Sequence, residues 1–381
     1  MKDTENELLG ALASSLFDSS MSTLPLSDGA KAEALEQAVY SLVSRDEMAL
    51  QIVAQNLRIA WEQQELVNML NARDIPFAVL KGFSASIYYP EPMMRALGDV
   101  DIIVEPKNFL TAFSHMQASG YIPDPEDHDG RHICFRKNSV VIELHQRFAS
   151  LNSTHADAQL DNWIYEAIPK VNTVRIGDFS FPILQEPLNG LILLAHVSQH
   201  LENGLGIRQI IDWVMYVAHE LPDGKWLEFQ NLTEPLGLTN LAKITARFGQ
   251  LYLGLPQEDH SWCIDVDDSV CEALLNYVFQ CGNFGHKAGM SNTVTMVFSH
   301  GSGIIGFFRN LQKRGERNWK AYQKCCLLKP FCWLYQLFRY VRLGLRRDKA
   351  FSNLKKDYEA SKERNALTKA IGATRLAEKE I

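Results

Sequence analysis

No run of apolar residues approaches the ~18 needed to cross a bilayer as a helix. The nearest, LLKPFCWLYQLF at 327–338, is interrupted by Lys329 and Pro330. No CxxC pair occurs, and Cys134, Cys263, Cys271, Cys281, Cys325, Cys326 and Cys332 make an odd, scattered set unlike a disulfide framework. A reducing, cytoplasmic setting is therefore the expectation. The opening residues, MKDTENELLGALASSLF, start acidic and do not have the basic-then-apolar layout of a signal peptide. Positive charge is in deficit as well. With 38 Lys and Arg against 45 Asp and Glu the formal charge is -7, which argues against bulk nucleic-acid binding. A nucleotide in one cleft stays compatible with that balance, because a bound metal ion supplies local positive charge. Internal repeats and low-complexity segments are also missing.

What is present suits a globular protein of two or three domains: 381 residues, 46% hydrophobic and 22% charged. Residues 1–73 read as an N-terminal helical region. Within it NLRIAWEQQELVNMLNARD places Leu57, Trp61, Val67 and Leu70 at helical spacing. Residues 74–187 read as a mixed sheet with flanking helices, entered at the Asp74 and Pro76 break. FAVL and VDIIV are short buried strands, HICFR and VVIELH a hairpin around KNS, and TVRIGDFSFPIL a further strand pair. IPDPEDHDG at 122–130 holds too many Pro, Asp and Gly residues for an element and is expected to be an exposed loop. Residues 188–300 form a helical domain, and 301–381 a basic, aromatic, helical region. Peripheral membrane contact is one expectation for that last region, a solvated basic face the other.

The chemistry concentrates between residues 76 and 145. Asp99 and Asp101 lie two apart at the head of an apolar strand, so alternation puts both carboxylates on one face. Glu143 is similarly embedded in VVIELH. If that strand is a neighbour, three acids cluster, which is costly unless a cation joins them. Hard divalent ions take oxygen ligands of this kind. Lys81, Gly82 and Ser84 lie where a strand passes into a helix, a place suited to a phosphate. Arg95 is either a further phosphate contact or a structural salt bridge to Asp99 or Glu91. His145 shares the face of Glu143 and either orients it, contacts substrate or is a hydrogen-bonded core residue. His196 and His200 are four apart on a helix and face the same way. Without an evident third ligand, they are expected in a buried polar network with Arg208 and Asp212 that could also line an acceptor pocket.

In combination these residues resemble the uncharacterised nucleotidyltransferase family of the DNA polymerase beta-like superfamily. The likeness runs through Lys81, Gly82, Tyr89, Pro92, Arg95, Asp99, Asp101, Gly120, Tyr121, Glu143, Leu144 and His145, and continues at His196, His200, Arg208 and Asp212. Two features depart from the wider superfamily: Lys81-Gly82-Phe83-Ser84 stands where a Gly-Ser pair is usual, and Glu143 stands where many members carry Asp. The resemblance implies an α+β fold, a nucleotidyltransferase-type mixed sheet flanked by helices, with an N-terminal helical preface and a C-terminal helical domain. It also implies transfer of a nucleoside monophosphate from an NTP to an acceptor hydroxyl with release of pyrophosphate. Asp99, Asp101 and Glu143 would bind Mg2+ or Mn2+, two ions in all, and Lys81, Gly82, Ser84 and Arg95 the phosphates. An inactive binding or scaffold protein on the same fold is the alternative.

Overall fold

The computed structural model describes residues 3–18, 25–128, 130–151 and 154–283, with shorter stretches between 308 and 346. Four helices come first: α1 (Asp3–Phe17), α2 (Asp28–Glu36), α3 (Tyr40–Val43) and α4 (Glu47–Asn71). Local chemistry sets two of the starts. The Ser27 hydroxyl accepts from the Ala30 amide and the Asp46 carboxylate from the Ala49 amide, each satisfying a donor that the first helical turn leaves over. Along α4 the buried stripe is Asn56, Ile59, Ala60, Gln63, Leu66, Val67 and Leu70, a three- and four-residue spacing. Val67 and Leu70 belong to it as expected. Leu57 and Trp61 do not, being 46% and 63% exposed, because Asn56 and Gln63 take inward positions, Asn56 to bond main-chain groups of the loop at 93–97.

The sheet region follows as β1 (Phe77–Leu80), α5 (Gly82–Ser86), β2 (Val100–Val104), α6 (Pro106–Ala118), β3 (Ile122–His128), β4 (His132–Lys137), β5 (Val140–His145), α7 (Thr154–Ala167), β6 (Asn172–Ile176) and β7 (Phe179–Ile183). The strands form one mixed sheet in the order β3-β4-β5-β2-β1-β7-β6. Pairs β2/β5 and β1/β7 are parallel and the remainder antiparallel. In the β4/β5 hairpin Lys137 faces Val140, and Asn138 and Ser139 between them have φ of 47° and 67°. Two left-handed residues in a two-residue turn match the twist of the strands they join. The segment expected as a loop at 122–130 is instead largely strand β3, with an irregular register between Pro123 and His128. Its place at the sheet edge explains this, since an edge strand tolerates prolines that an inner strand cannot.

Alternation divides the sheet into two working faces. Phe77, Val79, Val100, Ile102, Val104, Ile142 and Leu144 pack with Leu66 and Leu70 of α4 and Phe109 and Met116 of α6. The opposite face offers Ala78, Leu80 and Ile103 to a larger apolar cluster that extends from Leu8 to Cys281. The largest share of that cluster comes from α8 (Leu188–Asn203), α9 (Ile207–Glu220), α10 (Asp223–Thr233), α11 (Thr239–Tyr252) and α12 (Asp268–Cys281). The helical half therefore covers the face that carries Asp101. The last of the described helices, α13 (Cys332–Arg346), exposes Leu334 and Phe338. Much of the basic helical region expected at 301–381 lies outside the described residues. No described helix is long and apolar enough to cross a membrane.

Helices α8 and α9 meet at Gly190, where an added Cβ would stand 1.9 Å from Cζ of Tyr216. Gly190→Ala is expected to cost ~1–3 kcal/mol through overpacking, measured as a lowered midpoint in urea unfolding. An unchanged midpoint would contradict this close helix contact.

Candidate active site

Three strand ends converge on the covered face. Parallel pairing of β2 and β5 sets Asp101 opposite Glu143 and Ile103 opposite His145. Antiparallel pairing of β1 and β2 sets Leu80 opposite Asp101, so Lys81 emerges beside that carboxylate. The contacts are close: Lys81 Nζ to Asp101 Oδ1 is 2.7 Å, His145 Nε2 to the same oxygen 2.9 Å, and His145 Nε2 to Glu143 Oε2 3.2 Å. One donor atom from each of Asp101, Glu143 and His145 lies within 4.8 Å of the others. Asp99 precedes β2 in the loop from Gly98 and lines the same cavity.

Charge and burial pull against each other throughout. Burial alone would depress the Lys81 ammonium, but the facing carboxylates of Asp101, Glu143 and Asp99 outweigh it and raise its pKa. Burial would raise Glu143, yet the His145 hydrogen bond and the Lys81 charge bring it below the usual carboxylate range. His145 is raised, because bonds to Asp101 and Glu143 overcome its own desolvation. Asp99 moves upward through burial and then through the neighbouring Asp101 charge. The backbone adds strain: Lys81 has φ 48° and ψ -139°, a region that a residue with a Cβ seldom occupies. Gly82 follows with φ 26°. Helix α5 spans only five residues, so the positive charge at this turn comes from Lys81 far more than from a helix dipole.

Other expected residues take different positions. Ser84, expected with the phosphate ligands, is buried; its hydroxyl donates to the Lys81 carbonyl at 2.8 Å, and it is not among the residues that line the cavity. Arg95 bonds neither Asp99 nor Glu91. Its Nε and Nη2 donate to the two oxygens of Asp212 at 2.7 and 2.6 Å, and Tyr89 Oη donates to the same carboxylate. Asp212 is thereby committed to Arg95 and Tyr89 rather than to the histidines. That buried fork ties the 90–99 loop to α9. Arg208 donates to the Ala96 carbonyl through Nη1, and its buried Nε has no hydrogen-bond partner. His196 and His200 meet each other, Nε2 to Nε2 at 2.8 Å. Burial depresses both, His196 further through its neighbour His200, and His200 is pushed down to about 3.

A cavity of roughly 260 Å³ brings these groups together, lined by Lys81, Gly82, Arg95, Asp99, Asp101, Glu143, His196, His200 and Arg208. Arg131, His132, Ser150 and Gln199 also line it, and sequence reasoning did not single them out. Asn56 was missed as well. Its amide donates to the Met93 and Arg95 carbonyls and accepts from the Leu97 amide, fixing the loop that delivers Asp99. A polar residue in the inward stripe of α4 was the available signal.

A mixed sheet that sets acids side by side on adjoining parallel strands, with a lysine at a tight strand-to-helix turn, defines the nucleotidyltransferase class of fold. The chain belongs to the uncharacterised nucleotidyltransferase family, whose model matches residues 25–254, and at that level it is a transferase of nucleotidyl groups. Comparison with curated proteins returned no match.

Lys81→Gly and Lys81→Ala both remove the ammonium, but only glycine relieves the backbone. The glycine variant is expected to be more stable by ~1–3 kcal/mol, read from paired denaturation curves; equal stability would show the turn to be unstrained. The histidine pair has lowered pKa values, so its stabilising contribution is present above about 6.5 and lost as pH falls. His145, raised, contributes with the opposite sign. His200→Gln is expected to flatten the loss of melting temperature between about pH 7 and pH 5. A slope identical to that of the unaltered chain would contradict a buried neutral pair.

Proposed function

We propose that the chain transfers a nucleoside monophosphate from an NTP to an acceptor hydroxyl, on a small molecule, a sugar, or a peptide or protein, and releases pyrophosphate. The observation that supports this most is the in-register pairing of Asp101 with Glu143, at a cavity that Asp99 also lines. The seat suits a cation, since the Lys81 ammonium already lies 2.7 Å from Asp101 Oδ1 and carboxylate oxygens are what hard divalent ions take. Asp99, Asp101 and Glu143 would hold Mg2+ or Mn2+, two ions in this reading, which when bound offset charge on the attacking and leaving oxygens.

The remaining roles belong to the chain itself. Lys81 turns from Asp101 to the triphosphate, joined by Arg208 through its unspent Nε, by Arg131 and by the main chain at Gly82. Glu143, held ionised, takes the proton of the acceptor hydroxyl. The hydroxyl oxygen bonds the α-phosphorus while the bond from that phosphorus to the leaving pyrophosphate breaks. His145 keeps the carboxylates of Asp101 and Glu143 aligned. Positioning and charge, rather than covalent chemistry on the protein, carry such a reaction. One observation favours the scaffold alternative: the Lys81–Asp101 pair neutralises part of the acid cluster without any ion.

Calorimetry with NTPs in the presence of Mg2+ or Mn2+, with pyrophosphate release measured against candidate acceptors, separates the two readings. Asp101→Asn and Glu143→Gln are each expected to lower kcat by at least ~100-fold while the variants still melt cooperatively. Nucleotide binding that ignores both divalent ions and Asp101→Asn, with no pyrophosphate released, would favour the scaffold.

A further inference from the structure

Strand β4 carries two side chains that nucleotidyl transfer does not use. Its pairing with β5 sets His132 opposite His145 and Cys134 opposite Glu143, so all four side chains share the sheet face that carries Asp101. Cys134 Sγ lies 3.9 Å from Glu143 Oε1, and His132 Nε2 lies 3.8 Å from that same oxygen. One donor atom from each of His132, Cys134 and Glu143 falls within 4.8 Å of the other two. The second oxygen of Glu143, Oε2, is the one that meets His145. Glu143 thus presents one oxygen to the Asp101 side and the other to β4.

We propose that His132, Cys134 and Glu143 form a binding site for a zinc-class transition-metal ion beside the Asp101 seat. The donor set decides the class of ion. Imidazole, thiolate and carboxylate together are the ligands of Zn2+ and its borderline neighbours, whereas Mg2+ takes oxygen and does not take a thiolate. Spacing agrees with chemistry. Tetrahedral bonds of ~2.0–2.3 Å place ligand atoms ~3.3–3.8 Å apart, so side-chain shifts of a few tenths of an ångström would bring the Cys134–Glu143 and His132–Glu143 separations onto an ion. On the other side of Glu143, the His145 contacts at 2.9 and 3.2 Å are of ordinary hydrogen-bond length.

Access and shielding fit a three-ligand site with an open fourth position. Cys134 is 2% exposed and forms no disulfide, while His132 and Glu143 line the cavity. An ion arrives through the cavity, the thiol releases its proton to solvent as the sulfur–metal bond forms, and water or substrate completes the tetrahedron. The site shares Glu143 with the Asp101 seat, but His132 and Cys134 have no part in nucleotidyl transfer, so binding of the ion is read without Asp99 or a nucleotide.

Cobalt(II) is the probe. The full chain, reduced and stripped with a chelator, is titrated with Co2+ and scanned for a near-ultraviolet thiolate-to-cobalt charge-transfer band and the visible bands of a tetrahedral centre. Both are expected to appear and to be displaced by Zn2+. Cys134→Ser is expected to abolish the charge-transfer band, and His132→Gln to weaken Co2+ binding by at least ~10-fold. Asp101→Asn should retain the band. If Cys134→Ser fails to melt cooperatively, His132→Gln alone decides the point. No charge-transfer band in the unaltered chain, or a band undiminished in the Cys134 or His132 variant, would overturn the site. Pyrophosphate release measured on the same preparations keeps a failed metal site distinguishable from a failed transferase.

Discussion

Two carboxylates held next to each other in a dry place repel, and the register of β2 against β5 imposes that situation on Asp101 and Glu143. The surrounding site answers the imposed charge. Lys81 reaches Asp101 at the cost of a strained backbone, and His145 places one imidazole nitrogen near oxygens of both acids. Remove the register and neither the strained lysine nor the raised histidine has a physical reason to be there. Satisfying an anionic pair with groups that are themselves costly to bury gives a seat that an ion can compete for.

The helical half does more than shield this seat. Arg95, on the loop before β2, forks onto Asp212 of α9, with Tyr89 on the same carboxylate. Truncating one partner of such a buried pair leaves the other charge uncompensated, so the position of Asp99 depends on a helix more than a hundred residues later in the chain. Asn56 holds that loop from its other side through main-chain bonds. Sheet, loop and helices thereby form a connected polar frame within an otherwise apolar interface. Arg208 alone among these cations keeps a buried nitrogen unspent toward hydrogen bonding, a reserve of donor capacity in the wall of the cavity.

Much of this was legible in the residue pattern, for identifiable reasons. Short apolar runs bounded by breakers gave β1, β2, β5 and the β4/β5 hairpin, and alternation along β5 put Glu143 and His145 on one face before any register was known, whereas Asp99, expected on the strand with Asp101, lies just ahead of β2. What failed depended on tertiary position. Strand β3 was hidden because its prolines are acceptable only at an edge. The inward stripe of α4 was misjudged at Leu57 and Trp61, since polar Asn56 and Gln63 are buried there instead, Asn56 through its main-chain bonds. Arg95 had two acids nearby in sequence and bonded a third, Asp212, brought to it by folding. Ser84 could be placed at the turn, but not the rotation that sends its hydroxyl back to Lys81. His132 and Cys134 read as ordinary strand residues, and only the pairing of β4 with β5 sets them against Glu143.

The central claim is that the Asp101–Glu143 pair is a cation seat held by the Lys81 ammonium. Electron paramagnetic resonance of Mn2+ titrated into the unaltered chain, Lys81→Met and Asp101→Asn tests it without nucleotide or acceptor. Removing the competing ammonium is expected to tighten Mn2+ binding in Lys81→Met, and removing the carboxylate to weaken it in Asp101→Asn. Manganese affinity unchanged by either substitution, or no Mn2+ bound even in Lys81→Met, would contradict the claim.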